Sequence, residues 1–161
     1  MSIINDLFDI VFVINREKDQ FKKEAMTEKM NSVNIKFQFL NAIDGYKEPT
    51  LKKYNLYKEK PFTWDGAHAY EIARNKKMIP SAGAYGYLES WLKVLIAAKS
   101  KKCNRILVFD DDIIFENNFE EKARNFFEKI SPNFKLAALG VSQHNWGKIH
   151  FEDLYYNPIV Y

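Results

Sequence analysis

Two short apolar runs, Ile10 to Ile14 and Ile106 to Phe109, constrain the fold of this chain more than any other feature. Each is too short to form a helix of its own, contains β-branched residues and has no polar position on either face. Such a strand must be covered on both sides, as strands of parallel sheets are when they lie between layers of helix. The second run ends in Asp110, Asp111 and Asp112. Ligands of open α/β sheets bind outside the carboxyl ends of the strands, so three acids placed there mark a candidate site. Neighbouring carboxylates repel one another and are tolerated at the edge of a core only where a cation or hydrogen-bond donors offset them. If the backbone stays extended, Asp110 and Asp112 face one pocket and Asp111 the other side. The plainer alternative is that the acids start a turn or cap the next helix. One Asp would suffice for that, and Asn118 with Glu121 already offers a capping-box start.

The remaining elements fit around these strands. Glu17 to about Asn31 is rich in helix formers, with Met26 and Met30 on one side and lysines available to water. Ile35, Phe37 and Phe39 alternate with Lys36 and Gln38, the period of a half-exposed edge strand, and Asp44-Gly45 marks a turn after it. Tyr46 to Ile79 shows no clear period beyond a helical stretch from Tyr54 to Lys60, and long excursions of this kind tend to be functional. Leu88, Trp91, Leu92 and Leu95 form a helical stripe expected to face the core, which leaves Ser90 and Lys93 on the opposite side. Phe119, Ala123, Phe126, Phe127 and Ile130 give an amphipathic helix ended by Ser131-Pro132, and Lys135 to Val141 resembles one more buried strand. The order predicts an α/β sandwich with a largely parallel central sheet and helices on both faces.

A chain of 161 residues, 47% hydrophobic, is long enough for a sizeable core and predicts one domain. No stretch approaches a membrane span, and Leu7 to Ile14 is interrupted by Asp9 without a basic segment before it, which predicts a cytoplasmic protein rather than an exported one. The net charge of +3, carried by short lysine clusters, is compatible with anionic partners or a peripheral position at an acidic membrane surface. No nucleic-acid motif accompanies the lysines. The single cysteine, Cys103, excludes an internal disulfide and a Cys-based zinc site.

Four segments, in order, carry a family resemblance. Ile14-Asn15 with the helix after it and Ala42-Ile43-Asp44-Gly45 looks like an opening strand, helix and A-x-D-G turn. Gly83 to Lys93 is similar to a G-E-x-G-C-x-x-S-H-x-x segment, Ile106 to Asp112 to an apolar strand ending in E-D-D, and Leu139-Gly140 to a later strand. Together they resemble glycosyltransferase family 25, the lipooligosaccharide and procollagen galactosyltransferase family. Three positions depart from its pattern: Ala84 stands where Glu is usual, Tyr87 where Cys is common and Trp91 where His is usual.

The resemblance implies a GT-A-type fold that binds a UDP-sugar, UDP-galactose or a similar UDP-hexose, and transfers the hexose with inversion to a glycan, a lipid-linked glycan or a hydroxylated protein. It implies Mn²⁺ or Mg²⁺, which neutralises a diphosphate leaving group. Asp112 is then the expected metal ligand and Asp110 its partner, holding metal-bound water or the donor ribose, with Asp111 a lesser donor-site candidate. Asn15 would sit over the nucleotide, and Arg16 or Arg74 would neutralise phosphate. Asp44, Gly83, Gly86 and Ser90 complete the expected donor site. His144 is a candidate late metal ligand, against the plainer reading of a loop histidine without a role. No residue presents itself as the general base that inversion needs. The chain is expected to be a single glycosyltransferase-like domain over 1–161, or the donor-binding part of a longer catalytic domain. The alternatives are a binding module for sugar nucleotides or glycans that has lost the acceptor half, and a phosphohydrolase with Asp110 as nucleophile. The second normally places its acidic motif on the first strand, which this chain does not.

Overall fold

β1 (Ile10–Asn15) occupies the centre of a three-stranded parallel sheet ordered β2-β1-β3, the position its unbroken apolar sequence requires. The computed structural model of the chain describes residues 2–140. β2 (Gln38–Asn41) pairs with β1 from Phe12↔Gln38 to Asn15↔Asn41, and β3 (Ile106–Asp110) pairs on the other side from Ile10↔Ile106 to Ile14↔Asp110. Strand alternation then divides the core in two. Val11, Val13, Leu107 and Phe109 meet α1 (Ile3–Leu7), α2 (Gln20–Ser32) and α6 (Phe119–Lys129) through Ile4, Met26, Met30, Ala123 and Phe126. On the opposite face Phe12, Ile14 and Leu40 meet Val94 and Ala98 of α5 (Ala82–Ser100). The α/β sandwich with helices on both faces is therefore as the sequence predicts, and it is consistent with a GT-A-like glycosyltransferase fold. Val13, Met26, Met30 and Val94 retain no accessible surface. Each large apolar side chain so buried contributes roughly 1.5–3 kcal/mol relative to exposure.

The excursion after β2 is more ordered than its composition suggests. It contains α3 (Thr50–Glu59) and α4 (Ala69–Arg74). Buried Glu71 ties the two together: its carboxylate accepts from the Tyr57 hydroxyl at 2.5 Å, the Met78 amide at 2.7 Å and the His68 amide at 3.1 Å. These bonds, led by that of Tyr57, lower its pKa to about 2. The His68 ring in turn accepts from the Tyr70 amide, a capping box built with histidine in place of the usual hydroxyl, so the start signal is easily overlooked.

Three expectations need correction. α5 does not bury Leu88, Leu92 and Leu95, which are 53–56% exposed; it buries Ala82, Gly86, Ser90, Val94 and Ala98. Spacing four apart makes these one face, and their small size lets the helix approach the sheet and the loop after β2 more closely than leucines would. Asn118 adopts φ 60° in the left-handed region and makes no side-chain cap bond, so the capping box expected there is absent. Among the described residues after α6, Ala138 forms only an isolated bridge and Leu136 is exposed, so the strand expected from Lys135 is not regular as far as Gly140.

Candidate functional site

The sheet is parallel, so Asn41, Asn15 and Asp110, the last residues of its strands, lie along one edge. The chain leaves β1 toward β2 on one side and eventually reaches β3 on the other, which makes the gap between β1 and β3 the topological switch point where such folds bind ligands. A pocket of about 270 Å³ lies there, its wall including Ile14, Arg16, Lys22, Tyr87 and all three of Asp110, Asp111 and Asp112. A second recess of about 610 Å³ shares Arg16, Ala42 and Ile43 with it and extends to Asp44, Lys47 and Lys53. A third, of about 640 Å³, shares Tyr87, Asp110 and Asp112 and continues along Trp91 to Gly140.

The acidic residues divide between two partners. Ile106 and Val108 face α5, and Asp110, two residues on, follows them. The Tyr87 hydroxyl lies 3.0 and 3.2 Å from its two carboxylate oxygens and donates to them. Partial desolvation raises the Asp110 pKa, with Asp112 and Asp111 adding to the rise, while the Tyr87 bond opposes it. Burial likewise raises the Tyr87 hydroxyl. The extended backbone stops at Asp110, and Asp111 and Asp112 form a turn. The expected alternation of the three acids is therefore interrupted: the Lys22 ammonium, reaching from α2, lies 3.0 Å from Asp111 and 3.3 Å from Asp112 and holds them together. Those bonds, that of Asp111 first, raise the Lys22 pKa. Asn15, buried at the end of β1, donates to Asp111 at 2.8 Å. It therefore orients an acid of the turn, and its amide also reaches the Asp19 carbonyl at 3.4 Å.

The opposite wall of the pocket depends on α5. Ser90 has no accessible surface; its hydroxyl donates to the Gly86 carbonyl at 2.8 Å and accepts from the Ile43 amide at 2.8 Å. It thus pins the loop after β2 to the helix. Gly86 lets that loop come close, because a Cβ there would lie 2.5 Å from the Gly45 nitrogen and 2.6 Å from the Ile43 oxygen. Gly83 is less crowded, with the Tyr46 ring 3.3 Å from the position of a Cβ, and it lines the pocket. Asp44 accepts from the Tyr46 amide at 3.0 Å, and that bond lowers its pKa.

The sequence model of glycosyltransferase family 25, described as LPS biosynthesis proteins, matches residues 8–156. The chain belongs to glycosyltransferase family 25. No curated protein matches it significantly.

Against the family pattern, the two aromatic departures stand beside the acid that closes β3: Tyr87 donates to Asp110, and Trp91 packs edge-on against Tyr87 with ring centroids 6.4 Å apart. Among the described residues no three His, Cys, Asp or Glu side chains converge as the cage of a metal ion would require. Hard carboxylate oxygens on a pocket wall suit Mg²⁺ or Mn²⁺ nonetheless, because such ions are commonly held by one or two carboxylates with water and substrate phosphate completing the shell. The donor set fits a metal shared with a ligand, with Asp110 and Asp112 as the residues that would hold it.

The structure brings Arg16, Gly83, Ser90, Asp110, Asp111 and Asp112 around one pocket, with Asn15 behind Asp111 and Gly86 behind the loop. Asp44 lies on the adjoining recess. Arg16 is engaged with Asp19 at 2.6 Å. Arg74 lies on α4, stacked 4.4 Å from the Tyr70 ring centroid, and lines neither the pocket nor that recess. His144 lies outside the described residues. Lys22 and Tyr87 line the pocket without having been expected to. For Tyr87 a signal existed: Gly83, Tyr87 and Ser90 fall at i, i+4 and i+7 on one helical face. Lys22 gave none, because it sits in a lysine pair of the kind that is usually a solvated face.

Proposed function

We propose that the chain transfers a hexose, galactose in the first instance, from a UDP-sugar to a glycan, a lipid-linked glycan or a hydroxylated protein acceptor, with inversion and with Mn²⁺ or Mg²⁺. The observation that carries this reading is the meeting of three carboxylates with Arg16 and Lys22 on the pocket at the β1/β3 switch point, in a chain of glycosyltransferase family 25. When bound, the metal would supply Lewis-acid neutralisation of the departing diphosphate. The protein's own residues act around it. Arg16 and Lys22 face the pocket as cations, Asn15 holds Asp111 in place, and Ser90 with Gly86 fixes the loop that separates the pocket from the adjoining recess. That recess, open toward α3, is room for the sugar or the acceptor. No helix of the described residues is long and apolar enough to cross a membrane. A cytoplasmic position, peripheral at the membrane surface, is part of this proposal.

A second reading, a sugar-nucleotide-binding module without turnover, is favoured by the Tyr87 hydroxyl, which already donates to the Asp110 carboxylate. Melting curves with UDP, UDP-galactose and UDP-glucose, each with Mn²⁺ and with chelator, test the donor, since a ligand of the native state raises the melting temperature. UDP and Mn²⁺ together should give a larger shift than the sum of each alone, because coupling through a shared ion is reciprocal. Equal UDP affinity in Mn²⁺ and in chelator removes the metal-nucleotide reading. Coupled binding with neither donor hydrolysis nor transfer selects the binding module.

A further inference from the structure

Lys22 is the cation that the acidic turn already has. Its ammonium bridges Asp111 and Asp112 from α2, an element otherwise devoted to covering the sheet, and its side chain is 40% exposed on the pocket wall. An ammonium carries three donors, and two are used here, which leaves one without an acceptor among the described residues. The Lys22–Asp112 pair is exposed on both sides, and pairs of that type contribute little to stability, so Lys22 leaves Asp112 readily, while Asp111, 14% exposed, keeps Asn15 as a second partner. The local charge points the same way. Among the described residues of the pocket, one ammonium, that of Lys22, answers Asp111 and Asp112, while Tyr87 is bonded to Asp110 and the guanidinium of Arg16 is engaged with Asp19. A divalent cation would balance what remains, and an entering diphosphate would then bring new negative charge that the flexible lysine stem can follow.

We propose that Lys22 is a phosphate-binding residue of the donor site and, until a diphosphate arrives, a resident counter-ion that competes with the divalent metal for Asp112, the carboxylate that both would use. The inference rests on the metal-nucleotide reading above and adds to it a residue and an order of exchange. With Asp112 engaged by a metal, Lys22 would be released from it and turn to the phosphate oxygens.

The test compares the parent with Lys22→Gln and Lys22→Arg. Free Mn²⁺ is followed by electron paramagnetic resonance without nucleotide, and inorganic pyrophosphate binding is followed by calorimetry in Mn²⁺. Losing one charge-assisted contact should weaken Mn²⁺-pyrophosphate binding by Lys22→Gln about tenfold, while Mn²⁺ alone binds more tightly because its competitor is gone. Lys22→Arg, which keeps the charge, should stay close to the parent in pyrophosphate affinity. Unchanged pyrophosphate affinity in a folded Lys22→Gln protein makes Lys22 a surface ion pair and overturns the proposal alone. A parent that binds pyrophosphate neither with Mn²⁺ nor without it overturns both the proposal and the donor-site reading.

Discussion

Gly86 of α5 and Gly45 of the loop after β2 touch backbone to backbone. A Cβ on Gly86 would stand 2.5 Å from the Gly45 nitrogen, and one on Gly45 would stand 1.7 Å from the Ala82 oxygen. Neither glycine has positive φ, so both are needed for space and not for conformation. The contact, with the Ser90–Ile43 bond beside it, fixes the wall of the pocket opposite the acidic turn.

Gly86→Ala should therefore destabilise the protein although alanine is the better helix former. The clash is with backbone, which cannot rotate away, and overpacking of this kind costs about 1–3 kcal/mol. Urea unfolding gives the number, and UDP binding should weaken with it because the displaced loop lines the pocket. An alanine variant as stable as the parent and equal in UDP affinity would show that the loop yields freely.

Glu71 predicts a pH response. Its folded pKa, about 2, lies below the ordinary carboxylate value, so its contribution to stability is complete above that ordinary value and is lost as pH falls through the range between the two. The melting temperature of the parent should drop over roughly pH 4.5 to 2. Glu71→Gln should melt lower at neutral pH and show a shallower drop over the same interval. Parallel pH profiles for the two proteins would mean that Glu71 does not titrate as its hydrogen bonds require.

Asp112→Asn separates a ligand role from a structural one. The side chain is 69% exposed and shares Lys22 with Asp111, so neutralising it relieves repulsion within the acidic turn and removes one weak ion pair. Apo stability should stay within about 0.5 kcal/mol of the parent. The shift produced by Mn²⁺ with UDP should nearly vanish, and any transfer should fall by orders of magnitude. A structural turn residue would behave in the opposite way, losing stability in the apo protein and keeping the full ligand-induced shift.

Tyr87→Phe should move Asp110 and little else. The hydroxyl bond opposes the upward shift that partial desolvation imposes on Asp110, so its removal should raise that pKa further. Carboxyl-carbon NMR titration of the two proteins reads the difference directly. An Asp110 titration that does not change would show that the bond is not maintained in solution.

Much of this arrangement is written in local sequence. The two apolar runs dictate strands covered on both faces, the run ending in acids places them at a carboxyl edge, and the Phe119 to Ile130 stripe dictates the helix after it, because burial of apolar surface follows periods of two and 3.6 residues. Periodicity cannot choose between two faces that are both apolar. On α5 the leucines carry more apolar surface, yet the small face won, because only Gly86 and Ser90 let the helix meet the loop at Gly45 and Ile43. Nor can periodicity anticipate Glu71, a buried carboxylate whose partners Tyr57 and Met78 come from outside its own helix. The site divides in the same way. The sequence by itself determined which carboxylates stand at the end of β3. Only the tertiary structure decided that Asp110 turns to Tyr87 while Asp111 and Asp112 turn to Lys22, because those partners lie 23, 89 and 90 residues away and are brought near by the packing of α5 and α2 on opposite faces of the sheet.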